Sequence, residues 1–166
     1  MKNIVLIGMP GAGKSTVGVI LAKVLGYQFI DSDLLIQEQE KCLLKDIIER
    51  DGLDGLVAVE EQVNAGIQAV NSVIATGGSV IYGPKAMEHL REIGTVVYIR
   101  LDYKTIAKRL GNIRQRGVVF REGQTLMSLY EERCPLYEQY AHIIIDGEGH
   151  DMEDLMEKIK SEVMAL

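Results

Sequence analysis

The run G-M-P-G-A-G-K-S at residues 8–15 carries the most legible chemistry in the chain. Small residues let backbone N–H groups close around phosphate oxygens, and a helix opening at the end of such a run adds its partial positive charge. In this arrangement Gly11, Ala12 and Gly13 supply amides and Lys14 reaches the β- and γ-phosphates. Ser15 offers its hydroxyl to Mg²⁺, and Thr16 adds a hydrogen bond to phosphate. The ligand implied is a nucleoside triphosphate with its Mg²⁺.

A second group, Asp31-Ser32-Asp33, stands at the end of an apolar stretch. Open α/β sheets collect their ligands at the carboxyl ends of strands. Residues i and i+2 of a strand share a face, so both carboxylates can address one bound cluster. Ser32 or Asp33 would equally serve to cap the following helix, and the residues alone leave both roles open.

The phosphate loop does not separate a kinase from a GTPase or a mechanical ATPase. No N-K-x-D guanine reader is present, and 166 residues are short for an oligomeric ATPase engine. A small-molecule or nucleotide kinase needs only this much chain, an acceptor pocket and an arginine-bearing lid. The basic loop between Arg109 and Arg121 supplies such a lid.

The elements around these groups fix their placement. The apolar run 3–7 reads as a strand buried on both faces, and 15–26 as a helix stopped by Gly26. Further strands are expected at 27–30, 72–76, 95–101 and 142–145, and helices at 33–50, 56–70, 84–92, 104–110, 125–140 and 152–164. Pro135 should kink or break its helix at a cost of about 3 kcal/mol. Residues 111–123 form the glycine-flanked lid. Strands alternating with helices predict an α/β protein of the P-loop kinase fold: a mainly parallel five-stranded sheet flanked by helices, in one domain over 1–166.

A net charge of −6 argues against a nucleic-acid or anionic-membrane surface. Yet residues 100–121 hold seven Lys and Arg against Asp102 alone, a local balance of +6 that suits an anion site. Cys42 and Cys134 read as free thiols of a reducing compartment, and no apolar run reaches membrane-spanning length. A cytoplasmic monomer acting on a small molecule is expected.

The phosphate loop, D-S-D, A-T-G-G at 75–78, Arg116 and E-R-C-P-L-Y-E-Q-Y-A at 132–141 occur in the order and spacing of shikimate kinases. The chain resembles that family over nearly its whole length. The resemblance implies ATP and Mg²⁺, with Asp31 holding the metal through water and Asp33 hydrogen-bonding the hydroxyl to be phosphorylated. It implies that Gly77 and Gly78 offer backbone to the acceptor, that Arg109 lies against adenine and that Arg116 closes over the transferring phosphate. Arg133 would clamp the acceptor's carboxylate.

The likeness breaks at the family segment G-E-x-x-F-R-x-x-E, which reads here as residues 52–60 with Val57 where the second clamping arginine stands. Glu60 is retained and loses its arginine partner. The glycine triplet has become Gly77-Gly78-Ser79, and the lid's R-P-L-L is Arg116-Gly117-Val118-Val119. Losing one partner of a desolvated charge pair costs about 2–5 kcal/mol. Either another cation compensates and shikimate remains the acceptor, or the pocket takes a related small alcohol of the gluconate, polyol or nucleotide kind. A nucleotide-binding regulator without catalysis is the reading from another class.

Overall fold

The computed structural model describes residues 2–111 and 120–166. Five strands, Asn3–Ile7 (β1), Gln28–Asp31 (β2), Ser72–Ala75 (β3), Gly94–Arg100 (β4) and Ile143–Asp146 (β5), form one sheet in the order β2-β3-β1-β4-β5, with every pairing parallel. β1 lies at the centre with no residue more than 2 % exposed, as its unbroken apolar run requires, whereas the outer strands β2 and β5 are partly exposed. Asn3, at the foot of β1, is buried without penalty. Its amide donates to the Ala69 and Ile93 carbonyls at 2.8 and 3.0 Å and accepts the Ser72 N–H at 3.0 Å, pinning the starts of three neighbouring strands.

Seven helices among the described residues cover the sheet: Lys14–Leu25 (α1), Ser32–Glu40 (α2), Leu44–Ala65 (α3), Pro84–Ile93 (α4), Tyr103–Leu110 (α5), Leu126–Tyr140 (α6) and Met152–Met164 (α7). A short 3₁₀ turn, Val80–Tyr82, precedes α4. Gly26 closes α1 in the left-handed conformation (φ 72°), which a side chain would strain. No described helix is long and apolar enough to cross a membrane. Both cysteines are free thiols.

Two helix boundaries differ from the sequence expectation. The helix expected over 33–50 is two: Lys41 adopts φ 56° and ends α2, and α3 starts at Leu44. The helix expected from 56 is continuous with the second of these, because α3 runs through a kink at Gly52 (φ 76°, ψ 179°) while Gly55 stays helical. A small apolar cluster of Ile36, Ile47 and Leu56, all buried, bridges the break and the kink, so tertiary packing holds α2 on α3 across the one and carries α3 through the other. Pro135 likewise leaves α6 unbroken. The carbonyl it deprives of a donor belongs to Glu131, which is exposed and therefore reaches water.

Because all five strands run the same way, the loops after β1, β2 and β3 open at one edge of the sheet. That edge gathers the phosphate loop, Asp31 and Asp33, and the Gly77-Gly78 turn.

Candidate active site

The turn after β1 has the backbone its glycines allow. Gly8, Gly11 and Gly13 hold φ of 150°, 81° and 92°, and Gly13 is the N-terminal cap of α1. A Cβ on Gly8 would meet the Ile99 carbonyl at 2.8 Å, so this turn is packed against β4 as well as bent. Lys14 is 7 % exposed and curls over the loop, donating to the carbonyls of Gly8 and Met9 at 2.7 and 2.8 Å. Burial pulls its ammonium down to about 8, partly opposed by Asp33. A dry cation held beside the glycine turn suits a polyphosphate.

Ser15 and Asp31 come together across the gap between α1 and β2: the Ser15 hydroxyl donates to Asp31 Oδ2 at 3.2 Å. The other Asp31 oxygen accepts the Asp33 N–H at 3.0 Å and caps α2. The cap that the sequence left open thus belongs to Asp31, which leaves the Asp33 carboxyl directed to the cavity. A hydroxyl and a carboxylate oxygen at this spacing are the hard oxygen donors that Mg²⁺ prefers, so the residues fit the metal. Asp33 is pushed above the usual carboxylate range, first by burial and then by Asp31, with Lys14 opposing.

The loop, Asp33 and the turn after β3 enclose a cavity of about 310 Å³, whose far wall is formed by Leu44, Leu56 and Glu60 of α3, Ser79 and Arg133. Gly77 and Gly78 are glycine for want of space. A Cβ on Gly77 would stand 2.8 Å from Asp33 Oδ1; one on Gly78 would stand 2.7 Å from Pro10 Cδ and 3.0 Å from Arg133 Nη1. Gly78→Ala must therefore move the phosphate loop or Arg133. It is expected to lower kcat/KM at least about tenfold, the scale of a small misplacement in an active site, with an unchanged circular-dichroism spectrum.

Arg133 is 1 % exposed on α6. Its guanidinium lies 5.3 Å from the Tyr82 ring centroid and its Nε reaches the Tyr82 hydroxyl at 3.4 Å. No carboxylate lies within ion-pair distance of it among the described residues, so the alternative of pairing with a neighbouring glutamate is not what the fold adopts. Tyr137, one turn on, donates to the Gly78 carbonyl at 2.5 Å and fixes α6 to that turn.

Glu60 is 5 % exposed, and both its oxygens lie near the Ser79 hydroxyl, at 2.7 and 2.6 Å. Burial pushes its carboxyl up to about 7, the Ser79 hydrogen bond pulls it down, and Asp33 adds to the rise. A raised acid penalises the fold as pH climbs from the unfolded value of 4.5 through about 7, and the cost is complete above that. Glu60→Gln removes it, so thermal melts should show the variant gaining on the wild type between pH 5 and pH 8, by up to roughly 3 kcal/mol.

Arg109 donates to the Gly11 carbonyl at 3.2 Å, beside the phosphate loop. Thr16 lines the cavity. Arg50 does not replace the missing cation, because it is exposed and paired with Glu40 and Asp51 at 2.9 and 2.7 Å. Val57 is half-buried and does not line the cavity. Arg121 pairs with Asp54 on the exposed surface. Arg116, Arg114 and most of the expected lid lie outside the described residues. The residues the sequence did not single out are Leu44, Leu56 and Tyr82, apolar or aromatic side chains whose role comes only from what the fold sets beside them.

A family model described as shikimate kinase matches residues 10–164. A Synechococcus shikimate kinase is 35 % identical over 99 % of this chain and 85 % of its own length. Among solved structures, shikimate kinase from Acinetobacter baumannii in complex with shikimate is 33 % identical with a TM-score of 0.89, covering 99 % of this chain and 94 % of the other. Shikimate kinase from Aquifex aeolicus is 28 % identical with a TM-score of 0.83, covering 98 % and 96 %. With the phosphate loop, Asp33 and the buried arginine around one cavity, and Asp31 joined to Ser15 beside it, the chain belongs to the shikimate kinase family of ATP-dependent phosphotransferases.

Proposed function

We propose that the protein transfers the γ-phosphoryl group of ATP to a hydroxyl of a small carboxylated acceptor, shikimate before others, giving shikimate 3-phosphate. The observation that supports this most is the single cavity in which the phosphate loop and Asp33 face a buried guanidinium that has no carboxylate partner within the described fold. A desolvated, unpaired Arg133 is costly unless a ligand anion answers it.

In-line transfer asks little covalent work of the protein, so positioning and charge neutralisation dominate. The amides of Gly11, Ala12 and Gly13 hold the phosphates, and Thr16 adds its hydroxyl. Lys14 leaves its own loop carbonyls for the β- and γ-oxygens and spreads the developing charge. Ser15 and Asp31 hold Mg²⁺, which when bound neutralises phosphate charge. Arg109 lies along the adenine, and Arg116 closes over the transferring group. Asp33, a stronger base for its burial, orients the acceptor hydroxyl and takes its proton. Gly77 and Gly78 let the acceptor approach backbone, and Arg133 holds its carboxylate.

One chain supplies every group, so a monomer in the cytoplasm, where ATP is plentiful, suffices. Val57 favours a second reading, an uncharged polyol as acceptor. ADP release measured with shikimate, gluconate and nucleoside monophosphates separates the two: shikimate should give the highest kcat/KM. Arg133→Ala should raise the KM for shikimate by about thirtyfold or more while ATP affinity holds. Equal KM values in both proteins would overturn the carboxylate contact.

A further inference from the structure

The acceptor wall of the cavity has an unusual charge arrangement that the phosphoryl-transfer chemistry does not use. Glu60 faces the same space as Arg133 and Asp33, yet among the described residues no lysine or arginine nitrogen lies within 4.0 Å of its carboxyl. One hydroxyl, that of Ser79, sits between its two oxygens, and a hydroxyl has one proton to give. Most of the carboxylate's accepting capacity is therefore unserved in a nearly dry site. The position one helical turn before it, where a basic side chain could reach it, is Val57.

We propose that Glu60 enters the acceptor complex as a carboxylic acid, so that the pocket takes up one proton with the acceptor's carboxylate, and that the Glu60–Ser79 pair thereby selects among acceptors. This rests on the carboxylated acceptor proposed above. The proton comes from solvent and forms an O–H bond on a Glu60 oxygen. No other bond changes.

The physical reason is like-charge repulsion in a desolvated space. An acceptor carboxylate docked on Arg133 brings a second anion to a cavity that already holds Asp33, and two carboxylates that share a dry site do not both stay ionised. Once protonated, Glu60 donates a hydrogen bond where the anion could only repel. The charged groups acting on Glu60 are Asp33 from α2, which raises it, and Arg133 from α6, which lowers it, with the Ser79 hydroxyl from the turn before the 3₁₀ segment lowering it as well. None of α4's charged groups acts on it; there the neighbouring Glu61 accepts the Lys85 N–H.

The sign follows. Below about pH 7 the free enzyme already carries the proton, and the KM for a carboxylated acceptor is flat. Above it, binding must draw a proton from solvent, and KM rises by up to about tenfold per pH unit while kcat, measured on the saturated and already protonated complex, does not follow. An amino alcohol would show the reverse, because a cation binds the ionised form.

The experiment measures the shikimate KM and kcat from pH 6 to 9 at saturating ATP and Mg²⁺ in the wild type, Glu60→Gln and Ser79→Ala. Shikimate binding to the wild type is followed by calorimetry at pH 8 in two buffers of different ionisation enthalpy. The wild type should show the KM rise and an uptake approaching one proton per shikimate bound. Glu60→Gln should keep a flat KM at all pH values, and Ser79→Ala should move the bend to higher pH, because the anion loses its one hydrogen bond. A flat wild-type KM with no proton uptake overturns the proposal, as does an identical KM rise in Glu60→Gln. The calorimetric result needs no variant, so poor folding of either leaves the test intact. Absence of shikimate binding at every pH overturns the substrate reading and this inference together, whereas turnover with a pH-independent KM overturns this inference alone.

Discussion

Lys14→Ala is expected to lower kcat by at least about a thousandfold, because one preorganised donor at a developing charge is worth roughly 10²–10³ and a full cation in a dry site more. The structure adds a second, opposite expectation for stability. Lys14 is 7 % exposed, and its hydrogen bonds go to two loop carbonyls while burial works against its charge. The fold therefore gains little or nothing from that ammonium. Removing it should leave the melting temperature equal or higher, so lost activity with an intact melt separates a catalytic loss from an unfolded protein. Turnover within tenfold of the wild type would mean that the loop does not carry the phosphoryl group.

Asp33→Asn is expected to lower kcat by about 10²–10⁴, the usual contribution of a positioned general base. Nucleotide affinity should change little, because Asp31 and not Asp33 pairs with Ser15 and caps α2. The asparagine can still donate to or accept from the acceptor hydroxyl, so the acceptor KM should move far less than kcat. Rates in rapid-quench and steady-state assays, set beside a fluorescent-nucleotide titration, read all three quantities. A fall in nucleotide affinity matching the fall in kcat would place Asp33 with the metal and not with the acceptor.

The two halves of the site differ in how far the sequence reveals them, for a physical reason. The phosphate half is local. Its residues follow one another from Gly8 to Thr16, and their types are dictated by backbone geometry that the chain itself imposes. The acceptor half is assembled from α2, α3, the turn after β3 and α6. Arg133 on α6 is set against Tyr82 and Gly78, which precede it by some fifty residues, and only the fold shows that it has no carboxylate neighbour. The break at Lys41 had no local signal, since a lysine in the left-handed region is chosen by the packing of Ile36 on Ile47 and not by its own propensity. Gly52 did announce a kink, yet the helix resumes at once because Leu56 has the same buried partners to reach. The contact between Glu60 and Ser79 joins a glutamate that keeps the family pattern to a serine that departs from it, two positions that the sequence marks only separately.

Phosphorus NMR of the enzyme with equimolar ATP and shikimate in excess Mg²⁺ follows every phosphoryl group at once. Transfer to an alcohol predicts a new phosphate-monoester resonance that grows one-for-one with ADP and is absent without shikimate. Growth of inorganic phosphate in its place, or no ADP at all despite bound nucleotide, would contradict the account.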